Sequence, residues 1–176
     1  MNWVIADLHL GHSNIIKYCK RPFHNVNEMD AIIINNWNAI VHPDDTVYCL
    51  GDLACGPNAK EKLKLYLPQL AGKIILIKGN HDKQAIKLYK EYGIAEVYNK
   101  RIKYQPLVIL SHTPQVVKFP YINIHGHIHN NKFMPNSSGI YMNVSVEATD
   151  YKPVNLDDLI NRLKSEQICP SRKDRF

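Results

Sequence analysis

One recurrence constrains this chain more than any other feature: five short apolar runs each end in residues able to bind a metal ion or a phosphate. Trp3-Val4-Ile5-Ala6 ends at Asp7, and Thr46-Val47-Tyr48-Cys49-Leu50 ends at Gly51-Asp52. Ile74-Ile75-Leu76-Ile77, flanked by Lys73 and Lys78, ends at Gly79-Asn80. The run from Leu107 to Leu110 ends at Ser111-His112, and that from Tyr121 to Ile124 at His125-Gly126-His127. Apolar runs this short read as buried strands. In α/β sheets ligands collect beyond the carboxyl ends of the strands. The pattern therefore predicts that the chemistry lies along one edge.

Helical patterns lie between the runs. Asn27 is a candidate N-cap for a helix through about Ile40, with Met29, Ile33, Trp37 and Ile40 at helical spacing. That face could serve either the core or an interface. Asn58 can cap Ala59 to Leu70, a pattern that Pro68 would stop early. Asp82 can cap a helix through about Tyr92, closed by Gly93. Asn155 can cap Leu156 to about Glu166. Pro114 to Pro120 and Asn130 to Ser138 read as loops. Strands and helices alternate at first, which suggests βαβ units, and then strands follow one another, which predicts mixed sheets. With no repeat or boundary in 176 residues, a single domain over 1–176 is expected.

Composition excludes some classes. A hydrophobic share of 45% with 22% charged residues suits a soluble globular chain and argues against disorder. Lys and Arg number 22 against 16 Asp and Glu, a balance that serves solubility or attraction to phosphate-bearing substrates. The basic residues are scattered, apart from a cluster at Ser171 to Phe176. Cys19, Cys49, Cys55 and Cys169 form no C-x-x-C pair, and no apolar run approaches the roughly 20 residues a membrane span needs. The expectation is a reduced cytoplasmic protein that does not enter a membrane, its cysteines acting as small buried hydrophobes.

The polar clusters are Asp7-x-His9, Gly51-Asp52, Gly79-Asn80-His81-Asp82, Ser111-His112 and Gly126-His127-x-His129. Each alone is common; all five in order, each after an apolar run, are hard to assign to chance. Carboxylate, imidazole and amide ligands together suit borderline divalent metals such as Mn, Fe, Zn, Co or Ni. No thiolate sits in a cluster, which disfavours a structural zinc finger. A carboxylate on a central strand, such as Asp52, could bridge two cations.

In this order the clusters resemble those of the calcineurin-like metallophosphoesterase superfamily, and the small bacterial and phage-type members in particular. The resemblance runs from Asp7 to His129. It implies an α/β fold, a sandwich of two mixed β-sheets flanked by helices, and hydrolysis of a phosphate ester by a metal-activated hydroxide. It implies two divalent ions, Mn first, with Fe, Zn, Ni or Co as alternatives. One would take Asp7, His9, Asp52 and His129; the other would take Asp52, Asn80, His112 and His127. His81 would act on the phosphoryl group and leaving oxygen, with Asp82 orienting it. The second motif departs from the family pattern: Gly51-Asp52-Leu53-Ala54-Cys55-Gly56 lacks the usual substrate-gripping residue, which must be absent or come from elsewhere.

Arg21 is one candidate for that grip, and His12 could face the substrate. His125 reads as a packed strand-end residue, His24 and His42 as loop residues, and Tyr66 and Tyr89 as packing. A phosphodiester of a nucleotide or nucleic acid is preferred as substrate. A phosphomonoesterase or protein phosphatase is the alternative within the class. A non-catalytic metal-binding scaffold and a nucleic-acid binder without catalysis are the alternatives outside it. Oligomeric state is left open.

Overall fold

The first strand shows why its apolar run is uninterrupted. β1 (Asn2–Ile5) turns Ile5 into one apolar cluster and Val4 into another, so both of its faces are covered. Strands covered on both faces read as continuous apolar runs. β2 (Thr46–Cys49) behaves alike, with Val47 and Cys49 on one side and Tyr48 on the other. The structure is a computed structural model that describes residues 1–132 and 136–168. The basic cluster at 171–176 and Cys169 lie outside the described residues.

Two sheets form. In the first, β3 (Lys73–Ile77) and β4 (Glu96–Tyr98) continue a parallel set with β1 and β2, and β9 (Val154–Asn155) joins antiparallel, in the order β4-β3-β2-β1-β9. In the second, β6 (Val108–Ser111), β7 (Ile122–His125) and β8 (Ile140–Asn143) are parallel, with β5 (Ile102–Gln105) antiparallel on the edge. Both sheets are mixed, as expected.

The first cluster packs helices on the outer face of the first sheet. α2 (Val26–Asn38) contributes Met29, Ile33 and Trp37, one turn apart in sequence, so its apolar face is core. α3 (Ala59–Tyr66) adds Leu63, and α4 (Ile86–Glu91) adds Tyr89. The second cluster joins the two sheets through Leu50, Ile77, Leu110 and Ile124, and α5 (Leu156–Ile168) closes it with Leu156, Leu159 and Ile160. A short bridge also ties the sheets: Ala6 N donates to Val144 O (2.9 Å) and Val146 N donates to Ala6 O (3.0 Å).

Three helix starts depart from or refine the sequence reading. The cap of α2 is Asn25, not Asn27: Asn25 is extended and its side chain accepts from Glu28 N. Asn58 precedes α3 in a left-handed conformation and makes no side-chain cap bond, and the helix gives way at Leu67–Gln69 to a 3₁₀ turn that contains Pro68. α4 starts after Ala85, later than expected, because Asp82 is buried elsewhere. Asn155 caps α5 as expected, its side chain accepting from Asp158 N (3.0 Å). The short helix α1 (Ser13–Tyr18) and strands β4, β5, β8 and β9 have no counterpart in the sequence reading.

Candidate metal centre

Asp7, Asp52, Asn80, His112 and His127 follow β1, β2, β3, β6 and β7, so the strand order of the fold brings their loops together. Five residues of these loops are left-handed: Asp7 (φ 61), His9 (φ 52), Asp52 (φ 56), His127 (φ 72) and His129 (φ 51). Such backbone costs about 1–3 kcal/mol per non-glycine residue and persists where its surroundings over-determine it. Here the loop after β1 lies on the loop after β2, with Asp7 N donating to Gly51 O (3.0 Å) and His9 N to Asp52 O (2.9 Å). The motif glycines permit the approach. A Cβ on Gly79 would lie 2.2 Å from Asp52 Oδ1, and one on Gly126 would lie 2.4 Å from Asp7 Oδ2.

On one side stand Asp7, His9 and His129, whose potential ligand atoms lie within 4.8 Å of one another. Asp7 Oδ2 accepts from His127 N and Ser145 Oγ, both at 2.8 Å, whereas Asp7 Oδ1 and His9 Nε2 are buried with no hydrogen-bond partner. His129 Nδ1 lies 3.0 Å from Glu147 Oε1, so its N–H is directed there and, in the neutral ring, Nε2 is left with a lone pair. Burial pushes the Asp7 carboxyl up to about 6 and holds the His9 ring down at about 2. Burial would lower His129 too, but the hydrogen bond and charge of Glu147 outweigh it and the net shift is upward.

On the other side Asn80 Oδ1, His112 Nε2 and His127 Nδ1 converge, with separations of 2.8, 3.0 and 3.1 Å. His112 Nδ1 lies 2.8 Å from Leu50 O. That carbonyl can only accept, so Nδ1 carries the hydrogen and, in the neutral ring, Nε2 presents a lone pair. Burial first, then the neighbouring His112, lowers the pKa of His127. The acceptor atoms Asn80 Oδ1 and His112 Nε2 therefore face one another at 2.8 Å, with His127 Nδ1 beside both, an arrangement suited to a cation. Asp52 stands between the sides: Oδ2 is 3.6 Å from His9 Nε2 and 3.5 Å from His112 Nε2, while Oδ1 accepts from His81 N (2.9 Å). Buried orphan acceptors, converging imidazoles and a central carboxylate fit divalent cations.

The remaining residues divide. His81 is exposed, edge-on to His9 with ring centroids 5.5 Å apart. Asp82 does not orient it. Its Oδ2 accepts from Asp52 N (2.7 Å) and Gly79 N (2.8 Å) and its Oδ1 from Leu53 N (3.2 Å), so it locks two motif loops together. Arg21 is not at the substrate face either. It is buried, donating to Asp7 O (2.8 Å), Leu8 O (2.9 Å) and Glu147 Oε1 (2.8 Å). His12 is half-buried, its ring centroid 5.8 Å from that of His9 and 6.3 Å from that of the exposed Tyr18. His125 is buried beside Gly126 O and Tyr89 is buried, while Tyr66 is half-buried and bonded to Asp30, as expected of packing residues. Cys19, Cys49 and Cys55 are free and buried. Leu53, Ala54 and Cys55 turn inward, Cys55 Sγ lying 3.3 Å from His9 Nδ1, so no charged grip follows Asp52.

Sequence reasoning missed Glu147, whose signal is weak. It follows β8, a strand that no long apolar run marks, but Ile140-Tyr141-Met142 does end at Asn143, whose side chain donates to His129 O. That strand too ends in a residue that touches the candidate centre.

Known proteins bear on this site. The sequence model of calcineurin-like phosphoesterases matches residues 3–170. The uncharacterized protein MJ1445 of Methanocaldococcus jannaschii is 37% identical over 180 residues, covering 98% of this chain and 96% of that protein. The gene 66 protein of Mycobacterium phage L5 is 35% identical over 81 residues, 46% of this chain and 39% of its own length. Among solved structures, the protein of unknown function AQ665 from Aquifex aeolicus is 27% identical with a TM-score of 0.70, covering 93% of this chain and 98% of that one. The Pseudomonas putida nuclease MPE is 20% identical with a TM-score of 0.50, covering 73% and 61% respectively, and shares the fold.

Proposed function

This chain belongs to the calcineurin-like phosphoesterase family, and from that premise we propose that it hydrolyses a phosphodiester of a nucleotide or nucleic acid with two divalent cations. Membership supports a metal-dependent hydrolase of phosphate esters; the diester, the pair of ions and the residue roles are our reading. The observation that carries it is the convergence of acceptor lone pairs on both sides of Asp52, with Asp7 Oδ1 and His9 Nε2 buried and unpartnered.

Asp7, His9, Asp52 and His129 would hold one ion, and Asp52, Asn80, His112 and His127 the other, Mn being the first candidate. When bound, such a pair supplies Lewis-acid polarisation of a phosphoryl oxygen and a lowered pKa for water. His81 is free to donate an N–H to the phosphoryl or leaving oxygen. Asp82 fixes Asp52 through the backbone. Glu147, held by Arg21, fixes His129. The exposure of His81 leaves room for an extended ester. The inward turn after Asp52 removes the charged clamp that a dianionic monoester would use, and the net charge of +6 favours a polyanion. The fold shared with a nuclease agrees with that choice. No helix among the described residues is long and apolar enough to cross a membrane.

The test is hydrolysis of bis-p-nitrophenyl phosphate beside p-nitrophenyl phosphate by metal-stripped protein resupplied with Mn²⁺. Metal-dependent turnover, lost in His81→Ala while both ions remain bound, is the expected result. A faster monoester would overturn the diester reading, and loss of the ions in His81→Ala would overturn the role of that residue.

A further inference from the structure

A cleft of about 660 Å³ opens beside the second half of the centre, and Asn80 and His112 form part of its wall. The rest comes from the end of β3, the β4–β5 connection and the loop after β6. Its charged lining residues are Lys78, Lys100 and Arg101, with no carboxylate among the lining side chains. Lys78 is already engaged: its Nζ donates to Gln84 O (2.9 Å) and lies 5.7 Å from the centre of the Tyr89 ring. Lys100 and Arg101 are different. Both are exposed, and among the described residues neither forms an ion pair with a carboxylate. Arg101 is nevertheless held, one guanidinium nitrogen donating to Gln115 Oε1 (2.7 Å). Gln115 is anchored in turn, its backbone N donating to Asn123 Oδ1 (2.7 Å), and Asn123 is fully buried. A guanidinium fixed on one side with its other donors free is prepared for an oxyanion, because less order must be imposed when the bond forms.

We propose that this cleft binds the phosphate next to the scissile one on a polynucleotide strand, with Arg101 and Lys100 as the specificity-determining contacts. The proposal rests on the phosphodiesterase reading and deepens it. It also locates the substrate grip that the segment after Asp52 does not provide: the charge comes from the connection between the two sheets. A cleft of this size exceeds what one phosphate needs, and its neutral lining (Asn99, Thr113, Gln115) offers hydrogen bonds to a sugar or base edge.

The experiment compares two esters on the Mn²⁺-loaded full chain and on Lys100→Ala/Arg101→Ala. Bis-p-nitrophenyl phosphate has one phosphate; a short oligothymidylate has flanking ones. The expected result is about a tenfold fall in the ratio of kcat/KM for the oligonucleotide to that for the small ester, carried by KM, on the scale of removing charged hydrogen bonds. An equal fall on both substrates, or no fall, overturns the proposal. In parallel, binding of labelled oligothymidylate to Mn²⁺-loaded His81→Ala is followed against salt. The double variant on that background should weaken binding and flatten the log–log salt slope by about 0.7 for each phosphate it no longer neutralises. If the wild type hydrolyses neither ester but the double variant still weakens binding and flattens the slope, the phosphodiesterase reading fails and the cleft stands. If slope and affinity are unchanged, the cleft fails whatever the turnover.

Discussion

The two halves of the candidate metal centre are held by different means. The half built from Asp7, His9 and His129 is sunk in the protein and braced from behind: Arg21 ties Glu147 to the backbone of Asp7 and Leu8, and Glu147 directs His129. In the half built from Asn80, His112 and His127, only His112 is buried and tied from behind, to Leu50 O, and the side chains of Asn80 and His127 are exposed and, among the described residues, meet only each other and His112. Ligands braced from behind are rigid before an ion arrives, whereas exposed ligands without such a brace are ordered in part by the ion itself. The first half should therefore fill at lower metal concentration, and the second should be the exchangeable one.

Substitutions can erase or sharpen that contrast. Asp52→Asn removes the charge that both halves share, so both affinities should fall, by more than the roughly 100-fold typical of removing an outer partner, and turnover with them. Calorimetric titration with Mn²⁺ reads this directly; retention of either site at full affinity would show that Asp52 is not common to both. Glu147→Gln should act on one half alone, weakening the tighter site about 10–100-fold and drawing the two affinities together. Equal weakening of both sites would contradict the separate bracing. Acidity should act in the same direction. The Asp7 carboxyl, raised to about 6, and His129, raised above its ordinary value, hold protons that an ion must displace. Affinity of the first half should thus be lost as pH falls through that range, by about tenfold per unit for each proton displaced, while His9, held near 2, adds no competition. Titrations at about pH 8 and about pH 5.5, on either side of the Asp7 value, test the sign. Asn25→Ala is the smallest change and the control. It removes the cap of α2, should lower stability by about 1 kcal/mol in a denaturant melt, and should leave both affinities unaltered.

The sequence makes this contrast only half visible. β1, β2 and β3 are legible because they are buried on both faces and read as unbroken apolar runs, and β6 and β7 through Val108, Leu110, Ile122 and Ile124, which enter the layer between the sheets; β4, β5, β8 and β9, short or one-sided, carry no such signal. Asp7, His9, Asp52, Asn80, His112, His127 and His129 are legible as a group because strand ends converge in this architecture, and the structure brings them together. The brace is not. Arg21 and Glu147 are 126 positions apart, and their pairing exists only once β8 has been laid beside β7. Asp82 misleads in both roles its position suggests, as helix cap and as partner of His81, because three backbone N–H groups of the motif loops satisfy it first.

The centre draws Asp7, Asp52 and Asn80 from one sheet and His112, His127 and His129 from the other. Away from it, the sheets meet through an apolar layer and the short bridge from Ala6 to Val144 and Val146. An ion gripped from both sides is thus also a rivet. Chelation should loosen the seam as well as the chemistry, and faster amide exchange at Ala6 and Val146 would be its first sign.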